Sequence, residues 1–422
     1  MSYLVGLECS KCGKRFGEDK IRAFCDECGG VLLARYDLDA VDRALERDSL
    51  KGRDFTMWRY RELLPVRDDR NIVSLGEGNT PLIMARNLGE NLGIKNLWIK
   101  DESWMAGGNF KTWGASAIIS KAKELNIKRI AMGLGVCGNM ASSLCPYAAR
   151  AGIKVYIFAS ENAPWTNIVQ CWVNGARVYR VKAEKPKTSV DRELERLREM
   201  VSTFVQARKH EGWVNPTLLT PYRLEGKKAR ALELAEQFDW SPPDVILQPT
   251  GSGGGILGSW KGFEELKEIG WIDGHLPRMF VVQGSGFAPY VKAFKEKKEE
   301  CERLEGGSTI ATGLMVNKPV LGYLVLRAIR ESGGGAVGAD DEEILEAVRL
   351  MAKNEGVFPS HEGATTLAAL RHLIDEGSVD RSDRVVLFNT ATGLKYTEKY
   401  MQEFSLKVPV LDLEEEIDFR EL

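Results

Sequence analysis

A single lysine follows a glycine-rich turn in the segment 105–114, which reads Met-Ala-Gly-Gly-Asn-Phe-Lys-Thr-Trp-Gly. The pattern places Lys111 at the start of a helix predicted from Lys111 to Leu125. An amine is the group that forms a Schiff base with an aldehyde. The alternative is that Lys111 is an ordinary solvated lysine of a helix.

A glycine cluster follows the apolar strand predicted from Val245 to Gln248, and a helix comes after it. Backbone N–H groups converge on an anion only where side chains leave room, and a helix N-terminus adds its positive dipole end. The candidate phosphate ligands are Gly251, Ser252, Gly253, Gly254 and Gly255. The context fits neither a Walker loop nor a dinucleotide fingerprint. A glycine-rich turn without a ligand is the alternative.

Two further loops follow predicted strands. Residues 133–140 precede a helix whose N-terminal amides could hold a carboxylate, and residues 388–395 carry hydroxyl side chains. In open α/β sheets, ligands bind at the carboxyl ends of the strands. A lysine, a phosphate cradle, a helix start open to anions and a hydroxyl-bearing loop together predict a phosphorylated aldehyde cofactor held as a Schiff base.

Half of the eight cysteines form two C-x-x-C knuckles near the N-terminus. The four residues are Cys9, Cys12, Cys25 and Cys28. Paired knuckles with a following glycine are typical of a closed, tetrahedral zinc site that is structural rather than catalytic. Metal binding would supply the folding energy of a segment with so little core. Two disulfides or a redox dithiol are the alternatives, and the other cysteines are predicted to be mostly core thiols.

Short apolar runs alternate with amphipathic stretches from residue 95 onward, which is typical of an α/β fold with a mostly parallel sheet. Strands are predicted at 97–100, 129–132, 154–158, 177–181, 245–248, 279–283 and 384–388. Helices are predicted at 37–45, 111–125, 139–151, 188–209, 342–354 and 362–376.

The composition excludes several classes of partner. Lys and Arg number 58 and Asp and Glu 60, a net charge of −2, which argues against nucleic acid or an anionic membrane as the main partner. No apolar run is long enough for a membrane span, and the N-terminus does not resemble a secretory signal, so a cytoplasmic protein is expected. Glycine is in excess, with 42 residues.

Six motifs, taken in order, resemble those of threonine synthase and its relatives, in the fold type II family of pyridoxal-phosphate enzymes. They lie at 74–82, 100–111, 138–139, 222–226, 250–256 and 389–396. The resemblance implies a two-lobed fold with mostly parallel sheets, an N-terminal zinc ribbon and a homodimer. The domains would be the ribbon at 1–35, a cofactor-binding domain at 36–115 with 215–422, and a smaller inserted domain at 116–214.

The resemblance also implies a role for each matching residue. Lys111 would bind the cofactor covalently and move protons at the substrate α-carbon. Asn139 would bind the cofactor's phenolic oxygen, Gly251 to Gly255 its phosphate, and Thr390 its pyridine nitrogen. The substrate carboxylate would meet the loop that contains Val136, Cys137, Gly138 and Met140, and Arg223 would contact a substrate phosphate.

Three of these assignments have structural alternatives, and His361 adds a further choice. Asn139 could be only the N-cap of its helix, and Thr390 could satisfy local backbone at a strand end. Arg223 could make a surface ion pair. His361 could be a proton shuttle, but a structural role at a helix start is the preferred interpretation.

The lysine motif departs from the usual Ser-Phe-Lys-Asp-Arg-Gly, because Asn109 precedes the Phe-Lys pair and Thr112 and Trp113 follow it. Replacing the arginine removes donors that clamp phosphate. The expected activity is the conversion of O-phosphohomoserine to threonine and phosphate. Replacement or ammonia elimination on a serine-like or phosphoserine substrate, as in cysteate synthase or a dehydratase, is the enzymatic alternative. A regulatory relative without turnover is the alternative of a different class.

Overall fold

The computed structural model describes residues 1–19, 21–133, 138–161, 163–181, 208, 211–216 and 220–406 of the 422-residue chain. Three sheets organise these residues, one of three strands, one of six and one of four. Helices surround the two larger sheets, so the α/β class predicted from the sequence is confirmed. Over the described ranges, no helix has both the length and the apolar character that crossing a membrane requires.

The N-terminal sheet is antiparallel and has the strand order β2-β1-β3. Its strands are β1 (Leu4–Cys9), β2 (Arg15–Phe16) and β3 (Leu32–Tyr36). Each cysteine knuckle is a tight turn closed by a glycine N–H, which donates to the carbonyl of Cys9 or of Cys25 at 3.0 Å. Gly13 and Gly29 have φ values of 72° and 69°, a left-handed conformation that glycine adopts without strain.

Residues 38–71 connect this sheet to the rest of the chain through one helix and three short 3₁₀ turns. Helix α1 (Leu38–Ala44) begins where Asp37 accepts the Ala40 N–H at 2.9 Å, which confirms the helix predicted at 37–45. The 3₁₀ turns are Arg47–Gly52, Met57–Leu63 and Asp69–Asn71.

The six-stranded sheet is parallel except for one edge strand. Its members are β4 (Leu82–Met84), β5 (Asn96–Asp101), β10 (Val245–Pro249), β11 (Arg278–Gly284), β12 (Gly335–Ala339) and β13 (Arg384–Asn389). The order is β12-β11-β10-β13-β5-β4, and β4 pairs antiparallel to β5. Strand β10 is buried along its whole length because helices cover both faces of the sheet.

The four-stranded sheet is entirely parallel and has the order β8-β7-β6-β9. Its strands are β6 (Arg129–Gly133), β7 (Lys154–Ser160), β8 (Arg177–Val181) and β9 (Trp213–Val214). All four fall between residues 129 and 214, whereas the six-stranded sheet takes its strands from both sides of that range.

The remaining helices of the described ranges follow the strands of the two larger sheets along the chain. They are α2 (Arg86–Leu92), α3 (Lys111–Glu124), α4 (Asn139–Ala151), α5 (Trp165–Val173), α6 (Thr220–Gln237), α7 (Gly254–Glu268), α8 (Pro289–Lys295), α9 (Gly322–Glu331), α10 (Asp341–Glu355), α11 (His361–Asp375) and α12 (Thr397–Glu403).

All seven predicted strands are present within one or two residues of their predicted bounds. The predicted helices are confirmed as well, except that the one predicted at 188–209 lies almost entirely outside the described residues. Cys145, Cys171 and Cys301 are buried core thiols as expected, whereas Cys137 is outside the described residues. The domain bounds remain a prediction.

Candidate active site

A cavity of about 230 Å³ lies at the carboxyl ends of strands β5, β6, β10 and β13. The loops after these strands form one part of its wall, and helix α6 and residues 312–316 form another. The cavity therefore lies where parallel α/β sheets usually bind ligands. Three of the loops that the sequence analysis singled out, after β5, β10 and β13, meet here, and residues 138–140 bring in the fourth.

Lys111 is the first residue of helix α3 and lines the cavity. The buried side chain of Asn109 shapes the turn before it, because its Oδ1 accepts the Lys111 N–H at 3.0 Å and its Nδ2 donates to the Gly107 carbonyl at 2.7 Å. The Phe110 N–H donates to the Thr390 carbonyl at 2.9 Å. The lysine turn is thereby fixed to the end of strand β13.

The two residues after Lys111 face away from the cavity. Trp113 is fully buried, and its Nε1 donates to Glu102 Oε1 at 2.8 Å. Thr112 Oγ1 lies 3.5 Å from Ser143 Oγ on helix α4. The departures from the usual lysine motif therefore serve the packing of helix α3.

The loop between β10 and α7 is a glycine-rich cradle, in which Ser252 carries the one side chain among residues 251–255. A Cβ on Gly251 would lie 2.9 Å from the Gly313 carbonyl oxygen, and one on Gly255 would lie 2.5 Å from Gln248 Nε2. Gly253 has a φ of 87° and precedes helix α7, which has no side-chain cap. The first residues of the helix, Gly254 and Gly255, line the cavity, so their amides can meet an anion there, as the sequence predicts. Gly251 to Gly255, including the exposed Ser252, all line the cavity.

Asn139 begins helix α4 after Gly138, whose φ is 64°. The Asn139 Nδ2 donates to the Tyr396 hydroxyl at 2.8 Å, while its buried Oδ1 has no hydrogen-bond partner among the described residues. A tyrosine hydroxyl can donate or accept, so the Asn139 amide can offer either of its atoms to a ligand. Gly138 and Met140 line the cavity beside it, whereas Val136 and Cys137 are outside the described residues.

Thr390 follows strand β13, is buried, and lines the cavity as expected. Glu362 lines it as well, although the sequence analysis weighed the neighbouring His361 instead. Glu362 Oε1 accepts the Gly313 N–H at 2.7 Å, and its buried Oε2 has no partner among the described residues. His361 Nε2 lies 2.5 Å from Glu403 Oε2, and burial lowers the pKa of His361 to about 4. These contacts agree with the structural role that was preferred for His361.

Helix α6 presents a row of cations at positions i, i+4 and i+7, namely Arg223, Lys227 and Arg230. Arg223 and Lys227 line the cavity, and burial lowers the pKa of both groups. Arg230 is fully buried and pairs with both oxygens of Glu102 at 2.6 Å. Arg223 therefore belongs to the cavity wall rather than to a surface ion pair. Lys227 was not predicted as a site residue, although its spacing of four residues from Arg223 indicates that the two lie on the same face of a helix.

Lys395 stabilises the turn that precedes Lys111 through three hydrogen bonds. Its Nζ donates to the Gly107 carbonyl at 3.1 Å, to Ser142 Oγ at 3.3 Å and to Gln170 Oε1 at 2.9 Å. Burial lowers the pKa of Lys395 to about 8. The contacts connect the turn to helices α4 and α5, which flank the four-stranded sheet.

The four cysteines of the N-terminal sheet come together. Their sulfur atoms all lie within 4.8 Å of one another, and Cys9 and Cys25 are buried while Cys12 and Cys28 are exposed. The Cys9 and Cys28 sulfurs are 3.4 Å apart, too far for a disulfide bond. A Cβ on Gly30 would lie 2.7 Å from the Cys9 sulfur.

The cavity fits a phosphorylated pyridine aldehyde. Gly251, Gly253 and Gly255, where a Cβ would collide with neighbouring protein atoms, line the cavity with backbone that can meet a phosphate. The Asn139 amide, with its NH₂ group in the place of the partnerless oxygen, can donate to a ring oxygen. Lys111 stands on the same wall for the aldehyde carbon. The residues present therefore match the cofactor that the sequence predicts.

Comparisons with known proteins agree with this geometry. The sequence profile of a family described as "Pyridoxal-phosphate dependent enzyme" matches residues 73–391. Threonine synthase of Methanocaldococcus jannaschii is 36% identical over 388 residues, 92% of either chain. Threonine synthase of Methanosarcina acetivorans is 34% identical over 390 residues, again 92% of either chain. A fungal L-serine ammonia-lyase from Rhizomucor miehei shares the fold, with a TM-score of 0.63 at 18% identity over 77% of this chain and 98% of that one.

The family profile covers more than half of the chain, and the two archaeal relatives cover nearly all of it. The profile includes the lysine turn, the glycine loop and Thr390, which meet in one cavity. The chain therefore belongs to the pyridoxal-phosphate-dependent enzymes, and it functions as a threonine synthase-like lyase of that family.

Proposed function

We propose that the chain converts O-phosphohomoserine and water to threonine and phosphate. The observation that carries this proposal is that Lys111 lines one cavity together with two places for phosphate, the glycine cradle and the half-buried side chain of Arg223. A cofactor phosphate would occupy the first place, and a substrate phosphate the second. The two archaeal threonine synthases give independent support.

In this proposal, Lys111 holds the aldehyde carbon of the cofactor and moves the proton at the substrate α-carbon. The cofactor withdraws electron density from that carbon when it is bound. Asn139 contacts the ring oxygen of the cofactor, and Thr390 contacts its pyridine nitrogen. A hydroxyl leaves that nitrogen largely unprotonated, whereas a carboxylate would keep it protonated and charged. The unprotonated nitrogen favours elimination and replacement over transamination.

The amides of Gly251, Ser252, Gly253, Gly254 and Gly255 would hold the phosphate of the cofactor. The substrate carboxylate lies against the N-terminus of helix α4, where Gly138 and Met140 line the cavity. Val136 and Cys137 belong to the same proposed loop. Arg223 orients the leaving phosphate, because a guanidinium offers paired donors to phosphate oxygens.

A second candidate is β-replacement or ammonia elimination on a serine-like or phosphoserine substrate. The observation that favours it is the lysine motif, in which Asn109, a residue that lines the cavity, stands where the usual motif has a serine. A regulatory relative without turnover is the third candidate.

The test is to load the protein with pyridoxal phosphate, record the absorbance of the lysine-bound cofactor, and add phosphohomoserine, phosphoserine, serine or threonine. Release of phosphate together with threonine from phosphohomoserine supports the proposal. Ammonia or keto acid from serine alone supports the second candidate, and a bound cofactor with no product supports the third. Lys111→Ala should lose the absorbance, whereas Lys123→Ala, at an exposed position of the same helix, should keep it.

We further propose that Cys9, Cys12, Cys25 and Cys28 hold one structural zinc ion. Four thiolates in a closed group leave no open coordination position for catalysis, and the separation of the sulfurs suits a tetrahedral ion. Metal analysis of the purified protein should find one equivalent of zinc. Finding none, or an ion that a Cys9→Ser variant retains, would contradict the assignment.

The same proposal includes a homodimer with the three-part domain division. The four-stranded sheet lies wholly within the proposed inserted domain at 116–214, and the strands of the six-stranded sheet come from the two flanking segments. Light scattering of the purified protein measures the subunit number directly, and a monomeric mass would contradict the dimer.

A further inference from the structure

Lys227 is a buried lysine that lines the cavity. It is 4% exposed, and it makes no hydrogen bond or ion pair with any described residue. An ammonium group taken out of water without an anion is costly, so such lysines are normally paired or neutral. The mechanism proposed above gives Lys227 no role.

The surroundings of Lys227 are positive. Its Nζ lies 4.9 Å from the centre of the Phe110 ring, which faces the Arg230 guanidinium at the same distance. The nearby carboxylate of Glu102 already pairs with Arg230 through both oxygens. Burial lowers the pKa of Lys227 well below its usual value, and the neighbouring cations lower it further. An anionic ligand would remove this conflict of charges.

The position of Lys227 along helix α6 indicates which anion it faces. A Cβ on Gly254 would lie 3.1 Å from Lys227 Nζ, and Gly254 is the first residue of helix α7 in the glycine cradle. Arg223 lies one turn earlier, where its Cγ would be 2.7 Å from a Cβ on Gly114 of helix α3. Lys227 thus stands beside the cradle, while Arg223 stands beside the helix that begins with Lys111.

We propose that Lys227 is a side-chain ligand of the cofactor phosphate, adding an ionic contact to the backbone amides of Gly251 to Gly255. The proposal rests on the proposed function for the identity of the cofactor. Helix α6 then serves two anions from one face, the cofactor phosphate through Lys227 and the substrate phosphate through Arg223. Lys227 acts as a cofactor-binding residue and takes no part in proton transfer.

The experiment compares two cofactor forms that differ only in the phosphate. Apoprotein is titrated with pyridoxal phosphate and with pyridoxal, and binding is followed by the absorbance of the lysine-bound form. In Lys227→Met and Lys227→Gln, the affinity for pyridoxal phosphate should fall about 10- to 100-fold, as expected for the loss of a charged hydrogen bond. The affinity for pyridoxal should change less than about twofold.

Two control variants separate the contact from general effects. Lys227→Arg keeps the charge and should recover most of the affinity for pyridoxal phosphate. Lys267→Met removes an exposed lysine at the far end of helix α7 and should change neither affinity.

The outcomes separate this inference from the proposed function. If Lys227→Met still binds the cofactor and prefers pyridoxal phosphate over pyridoxal as strongly as the wild type does, the role of Lys227 is overturned and the proposed function is not. An equal loss of affinity for both forms, or an unchanged affinity for pyridoxal phosphate with a raised KM for a phosphorylated substrate, overturns that role as well. A wild-type protein that shows no lysine-bound absorbance overturns both the proposed function and this inference.

Discussion

The cysteine cluster and the cavity are built in opposite ways. The cluster takes all four of its cysteines from residues 9–28, and two short turns place them. The cavity takes its residues from separate loops and helices spread between residues 109 and 391. A site made by local turns can be read from spacing alone, whereas a site made by topology needs the arrangement of the sheet as well.

One helix nevertheless connects the two regions. Helix α6 turns Lys227 towards the cavity and the next residue, Lys228, towards the N-terminal sheet, where its Nζ lies 3.9 Å from the centre of the Tyr36 ring. Lys228 also pairs with the buried carboxylates of Glu225 and Glu265, at 2.7 Å and 2.6 Å. Because the two regions are built separately, changes in the cysteine cluster should leave the chemistry of the cavity unchanged, and the reverse, although both contact helix α6.

The largest effect is expected from Lys111→Ala, which tests whether the cavity can lose its activity while the cysteine cluster keeps its metal. Turnover should fall about 10³-fold or more, because the amine proposed to hold the cofactor and to move the α-proton is lost. The zinc content should remain one equivalent, since no cysteine is disturbed. Steady-state kinetics and metal analysis on the same sample give both values. A variant that loses its metal along with its activity would contradict the separation of the two regions.

The converse change is Cys9→Ser in the cluster. Zinc should be lost, and the free energy of unfolding should fall on the order of 4 kcal/mol, because metal binding supplies the stability of a sheet with little core. The cofactor absorbance should remain, since the cavity contains no ligand of the metal. Denaturant titration measures the first effect and spectroscopy the second. Cys301→Ser, at a buried thiol elsewhere, should keep the metal.

A smaller effect is expected on the pH dependence of stability, through the buried side chain of His361. Burial lowers the pKa of His361 to about 4, so the unfolded chain takes up a proton before the folded protein does. Stability is therefore present above pH 6.5 and is lost as the pH falls towards 4, by up to about 3 kcal/mol. The partner Glu403, whose pKa is raised by burial, acts in the opposite direction and reduces the net change.

His361→Gln should flatten this dependence, which denaturant titrations at pH 7, 6, 5 and 4.5 would measure. His372→Gln, at the half-exposed histidine of the same helix, is the matched control and should follow the wild-type curve. A slope that is equally steep in all three proteins would assign the acid sensitivity to other groups.

The same contrast explains what the sequence could predict. The knuckles, the glycine loop and strands such as Val245–Pro249 carry strong local signals, and they are where the sequence placed them. Strand β12, Gly335–Ala339, was missed because its glycines resemble a turn, and β4 was missed because it has only three residues. Both lie at the edges of the sheet, where pairing on one side compensates for weak propensity.

The missed site residues have a different cause. Lys227 and Glu362 look like ordinary helix charges when each is taken alone in the sequence, and the packing of α6 and α11 brings them to the cavity wall. Lys395 contacts Gly107, 288 residues earlier, which no local pattern encodes. In the sequence, Trp113 replaces an arginine that would bind phosphate in the usual motif, but the Trp113 ring lies in the core.

The smallest expected effect is at the contact between the regions. The hydroxyl of Tyr323 on helix α9 lies within hydrogen-bond distance of Ser10 Oγ and accepts the Val31 N–H at 3.2 Å. Tyr323→Phe should lower the free energy of unfolding by about 1 kcal/mol and leave both zinc content and cofactor absorbance unchanged. Tyr179→Phe, on exposed strand β8, should have no effect on unfolding. A loss of either zinc or cofactor would show that the regions depend on each other.

The contact between Ser10 and Tyr323 also has a consequence for synthesis on the ribosome. The two residues are 313 positions apart, so at 5–20 residues per second roughly 15 to 60 seconds pass between their appearance. During that interval, the cysteine turns are complete while their docking helix does not yet exist. The N-terminal sheet must therefore persist, or be protected, with its docking face exposed, and the nascent chain is most vulnerable to oxidation and proteolysis at that stage.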